Sequence, residues 1–152
     1  MKKVILILSF SLLFIKCLAP SGVTFAYLPT PQIIAIFGLT DPLAHAVAFK
    51  ESSFRPDAEN DVSGARGLMQ ITKVMIREVN RILKLMGWNW PPYTWDDAFN
   101  PKKSIDMWYI YQNFHNPEYD YQKACKGWFG SGVQYDGMVW QDYYSHILLI
   151  VK

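Results

Sequence analysis

Apolar positions recur along the chain at helical spacing, and no stretch alternates long enough to argue for a sheet. The first clear block follows Asp41-Pro42, a helix start with aspartate as N-cap and proline at the first helical position. Leu43, Ala46 and Val47 then share a face of a helix predicted to run to about Glu51. Residues 52–67, with Pro56, Asp57, Asn60, Asp61, Ser63 and two glycines, read as loop with room for a small hairpin. Met75, Val79, Ile82 and Met86 predict a second helix over about Thr72 to Met86, with Gly87 as its C-cap. A loop rich in tryptophan and proline covers Trp88 to Asn100. Pro101 opens a third helix carrying Ile105, Trp108, Tyr109 and Tyr111, and Asn116-Pro117 breaks it. A fourth helix is predicted from about Glu118 to Trp128, ending in the glycine-rich turn Gly127 to Gly132. A last one runs from about Val139 to the C-terminus. The fold class is therefore all-α.

The N-terminus has a different pattern. Lys2 and Lys3 precede Val4 to Ile15, an apolar run of about a dozen residues, short for a bilayer span and suited to a signal peptide. Thr24-Phe25-Ala26 places small residues where cleavage needs them, so residues 1–26 read as a signal peptide and the mature chain starts near Tyr27. A membrane tether through residues 4–27 is the alternative. Cys17 lacks the small preceding residue of a lipoprotein signal. Residues 27–40 read as a linker and 41–152 as one domain, exported to the periplasm or cell envelope.

Charge follows from that division. The chain has 15 basic and 13 acidic residues; without Lys2, Lys3 and Lys16 the mature part has 12 against 13. This balance gives no support to a nucleic-acid partner. Composition is 51% hydrophobic and 16% aromatic, enough for a core and for ring-stacking surfaces. His45, His115 and His146 are far apart, and Cys125 is the one cysteine past residue 26, so no metal site and no disulfide within the mature chain is expected. No phosphate loop or repeat appears, and no cofactor is called for.

Glu51 is the best single candidate for chemistry. It ends an apolar helix, where the helix dipole disfavours a negative charge, and Phe49 and Phe54 flank it. A carboxylic acid kept protonated near neutral pH is what cleavage of a glycosidic bond requires. Two further features accompany it. One is Gly64-Ala65-Arg66-Gly67-Leu68-Met69-Gln70, in which Gln70 offers a donor and an acceptor and Met69 an apolar wall. The other is Trp128-Phe129-Gly130-Ser131-Gly132, aromatics beside a glycine turn.

Taken together, Glu51-Ser52, the Gly-Ala-x-Gly-Leu-Met-Gln block and the aromatic-glycine turn before a final helix with paired tyrosines resemble the soluble lytic transglycosylase domain. That family is related in fold to goose-type lysozyme, and the resemblance covers about Leu43 to Leu148. It implies a lysozyme-like helical domain acting on peptidoglycan glycan strands. Glu51 matches the catalytic glutamate, Ser52 a serine close to it, and Met69 and Gln70 residues that line the glycan subsites. Phe129 falls in the third motif. Tyr143, rather than Tyr144, matches a tyrosine near the glutamate. The third motif departs from the family's usual Ala-Tyr-Asn-x-Gly or Trp-Asn-Gly-x-Gly, because no asparagine is present in any register. The family mechanism uses one carboxylate and leaves a 1,6-anhydro end. The acids nearest Glu51, namely Asp57, Glu59 and Asp61, sit in a polar loop, which suits that scheme. A lysozyme-like hydrolase using Glu59 or Asp61, and an inactive glycan-binding module, remain alternatives. A wall-spanning assembly remains an open partner.

Overall fold

The structure, a computed structural model, describes residues 39–130 and 140–151. The signal peptide or tether, most of the linker, Ser131 and Gly132, and the predicted helix start at Val139 lie outside the described residues. Within them are helices α1 (Pro42–Ser52), α2 (Lys73–Leu85), α3 (Pro101–His115), α4 (Tyr121–Phe129) and α5 (Trp140–Val151), with a 3-10 helix at Asp96–Phe99. No strand is present among the described residues, so the domain is all-α.

Helix α1 begins as its sequence dictates. The Asp41 carboxylate accepts from the N–H groups of Leu43 and Ala44, both at 3.1 Å, and Pro42 follows at the first position. Tyr119 also donates its hydroxyl proton to Asp41, tying this end to the segment before α4. The helix is not the one-faced element that Leu43, Ala46 and Val47 suggested. Every residue from Leu43 to Ala48 is buried. Three alanines are small enough for neighbours to close in all round, and a helix apolar on every side belongs inside. Helix α5 packs against both α1 and α4, and α2 packs against α3.

Helix α2 forms where expected, capped by the Thr72 hydroxyl at the Met75 N–H. Its buried stripe is Ile76, Val79, Ile82 and Leu83, whereas Met86 is exposed. The stripe is thus rotated from the predicted Met75–Met86 face toward the branched side chains. Helix α4 starts three residues later than predicted. The Asn116 carboxamide binds both the N–H and the carbonyl of Asp120, holding 117–120 as a turn, and Asp120 then caps at the Lys123 N–H. The loop after Trp88 contains the unpredicted 3-10 helix, whose Ala98 is fully buried.

The 53–72 segment carries isolated antiparallel bridges, Glu59 with Arg66 and Arg66 with Ile71, in place of a hairpin. Gly67 sits at φ +73°, and its N–H reaches the Ala58 carbonyl at 2.8 Å. A side chain there would meet the backbone of Ala98, so glycine alone lets the loop lie on the 3-10 helix.

Candidate active site

Glu51 occupies the last turn of α1, which ends at Ser53 in the left-handed conformation. It is half-buried, and one carboxylate oxygen accepts a 2.7 Å hydrogen bond from the Tyr143 hydroxyl of α5. Burial pushes its pKa up to about 7; the Tyr143 hydrogen bond and the neighbouring Lys50 charge hold it from rising further. Phe49 lies about 200° around the helix from Glu51. Its ring packs on Phe54 at 5.5 Å, and Phe54 packs on the buried, neutral-leaning His45 at 4.7 Å. Val47 and Ala48, one turn back on α1, are buried, and α5 packs against this helix.

Tyr143 is itself buried, and its phenol is held well above its ordinary pKa by burial and by the Glu51 charge. Phe129, at the end of α4, stacks on it with ring centroids 5.2 Å apart. Glu51, Tyr143 and Phe129 thus form a chain of contacts across α1, α5 and α4. Cys125 belongs to the same cluster. It is fully buried, and burial together with the Glu51 charge pushes its thiol up to about 12. Sequence reasoning passed over Cys125, treating it as an unpaired cysteine; its spacing one turn before Phe129 was the available signal.

The Gly64–Gln70 block reaches this cluster through Ser52. The Ser52 hydroxyl lies 2.8 Å from the Leu68 carbonyl and 3.1 Å from that of Ala48, bridging helix end and loop. Ser52 and Met69 both lie inside the fold. Ser52 is buried with its hydroxyl engaged. Met69 is fully buried, with its N–H donating to the Ser104 hydroxyl of α3. Ser104 is a second residue that sequence reasoning missed. Gln70 has φ +50°, and its amide nitrogen donates to the carbonyls of Ala58 and Gly67. Its remaining surface is half-buried.

The other acids stand apart in setting. Asp57, Glu59 and Asp61 are exposed, and Glu59 is engaged by Arg66 at 2.7 Å. His115 binds Glu78 and His146 binds Lys50. Among the described residues no group of three potential ligands is placed to hold a metal ion, and no helix is long and apolar enough to cross a membrane. Two clefts, about 300 Å³ beside Arg66 and Trp95 and about 220 Å³ beside Tyr111 and His115, do not include Glu51. The setting of the carboxyl marks the candidate site.

The transglycosylase SLT domain family matches residues 32–126, more than half of the chain. The chain belongs to that family. No curated protein and no solved structure matches it. As an SLT-domain protein it has a lysozyme-like, all-α architecture and a transglycosylase-type relation to peptidoglycan in general. The matched span contains Glu51 and the whole Gly64–Gln70 block. It stops short of Phe129 and Tyr143, and so short of the motif in which the SLT asparagine is missing.

Proposed function

We propose that this SLT-domain protein is an exported lytic transglycosylase. It cleaves the β-1,4 bond between N-acetylmuramic acid and N-acetylglucosamine, with Glu51 as its single acid/base. The observation that carries the reading is a half-buried carboxyl raised to about 7, with a phenol donor fixed against it. A group that titrates near neutrality serves equally as acid and as base. Export rests on the pattern of residues 1–26.

The protonated Glu51 gives its proton to the glycosidic oxygen as the bond to C1 breaks. The N-acetylglucosamine side leaves as a free hydroxyl. Positive charge on the muramoyl ring is shared with the substrate's own acetamido oxygen. The Glu51 carboxylate then accepts the proton of the C6 hydroxyl as that oxygen bonds to C1, which closes the 1,6-anhydro ring and restores the acid. No water is consumed. Tyr143 supports the carboxylate form between the two steps. Phe129 offers a ring face to sugar, and Gln70, held by its amide nitrogen, presents its carbonyl oxygen as an acceptor.

The test is a carboxylate scan by turbidity clearing of purified sacculi at equal folded concentration. Asp57→Asn, Glu59→Gln and Asp61→Asn should each keep most of the wild-type rate. If Glu59→Gln or Asp61→Asn is as inactive as Glu51→Gln, the reaction uses two carboxylates and the protein is a hydrolase. Tyr143→Phe tests the electrostatics. A hydrogen bond to a charged group is lost, so Glu51 titrates higher, and the alkaline limb of kcat/KM should move up by about one pH unit. A limb that stays in place or moves down removes Tyr143 from the site.

A further inference from the structure

The loop leaving α2 differs from the rest of the described surface. Leu85, Met86, Trp88 and Trp90 are 61%, 46%, 46% and 60% exposed, so four large apolar side chains face solvent within six positions. Soluble surfaces rarely concentrate apolar groups in this way without a partner. The loop is not a slack segment whose rings have failed to find the core. The Asn80 carboxamide accepts from the Tyr93 N–H and donates to the Tyr93 carbonyl, both at 2.8 Å, and Tyr93 is buried. At the other end Gly87 turns at φ +68°, and the Trp88 N–H reaches the Leu83 carbonyl. Pro91-Pro92 stiffens the return. The tryptophans are therefore held out by both ends of the loop.

The charge beside them is mainly positive. Arg77, Arg81 and Lys84 lie at i, i+4 and i+7 on α2, along one exposed face leading to Leu85. Arg81 is held by Glu78, which is the one acid between Lys73 and Trp95. Among the described residues Arg77 and Lys84 have no carboxylate within ion-pair distance. Tryptophan next to aliphatic side chains and unpaired cations is the combination that suits the boundary between acidic headgroups and acyl chains. A glycan would use the indoles but leave Leu85, Met86 and the cations without a role.

We infer that the Leu85–Trp90 loop is an interfacial docking element that seats Trp88 and Trp90 in the headgroup layer of an anionic bilayer, with Arg77 and Lys84 on its acidic lipids. The inference is independent of the reaction proposed for Glu51.

Tryptophan fluorescence tests it in the full chain. No tryptophan occurs before Trp88, so the apolar segment at residues 4–15 contributes no signal. With vesicles of phosphatidylglycerol and phosphatidylcholine, wild-type emission should shift to the blue and be quenched by brominated acyl chains. Trp88→Ser/Trp90→Ser should lose that shift and quenching while keeping its far-UV circular dichroism and its activity on sacculi. Arg77→Gln/Lys84→Gln should weaken partitioning by roughly 30-fold and reduce its dependence on the anionic lipid. Quenching that is absent in wild type, or equal in wild type and the tryptophan double variant, overturns the inference. So does shielding of these indoles by insoluble peptidoglycan and not by vesicles.

Discussion

Glu51→Gln is expected to lose activity on sacculi by roughly 10²–10⁴-fold or more, because one group carries out both proton transfers. The amide keeps the size of the side chain and can still meet the Tyr143 hydroxyl, but it has no proton to give. The same substitution has a second, opposite effect on stability. The folded-state pKa of Glu51, about 7, lies above its ordinary value of 4.5. As pH rises the unfolded chain releases this proton first, so stability is fully present below about pH 4.5 and falls until about pH 7. The loss is on the order of 2–3 kcal/mol. The glutamine variant lacks that fall and should be the more stable protein at pH 8, with little difference at pH 4. Denaturant melts of both proteins at the two pH values check this. Parallel stability curves would mean that the carboxyl is not desolvated.

Gly67→Ala is the largest expected loss of stability. A Cβ at this position falls 1.8 Å from the Ala98 carbonyl oxygen and 2.7 Å from its carbon, both backbone atoms, and the backbone stands at φ +73°. Neither partner can swing away as a side chain would. Relief requires parting the loop from the 3-10 helix, at a cost on the order of 4 kcal/mol or more. Gly64→Ala is the matched comparison, since φ is +68° but the space is open. It should cost only about 1 kcal/mol, the strain of the left-handed backbone alone. Thermal melts of the two variants separate them. Similar melting temperatures would show that loop and 3-10 helix are not in contact. Because Ser52, Met69 and Gln70 are fixed by the same loop, the folded fraction of Gly67→Ala should also be impaired in catalysis.

The parts of this molecule legible in the sequence are those set by local chemistry. Asp41-Pro42, Thr72 and Asn100-Pro101 each mark a helix start with their own side chains, so boundaries there follow from a few adjacent residues. What stayed hidden depends on contacts between distant segments. The burial of α1 on all sides arises only when α5 and the core close around it. The rotation of the α2 stripe depends on α3, and the late start of α4 on the Asn116 carboxamide. The same division runs through the site. Glu51 could be picked out because its place at a helix end and the block at Gly64–Gln70 are both local. The extent of its burial, which raises its pKa, and the Tyr143 hydrogen bond that limits the rise could not, since both depend on packing between distant segments. The engagement of the Ser52 hydroxyl and the Met69 N–H was equally hidden, since their partners Leu68 and Ser104 lie in other segments.

The most direct measurement of the proposed reaction is the mass of its products. Purified sacculi digested with the wild-type protein, and in parallel with Glu51→Gln at equal folded concentration, are resolved by liquid chromatography and mass spectrometry. The wild type should release muropeptides ending in 1,6-anhydro-N-acetylmuramic acid, one water lighter than reducing ends, and Glu51→Gln should release almost none. Reducing ends from the wild type, or anhydro ends released as fast by Glu51→Gln, would contradict the account.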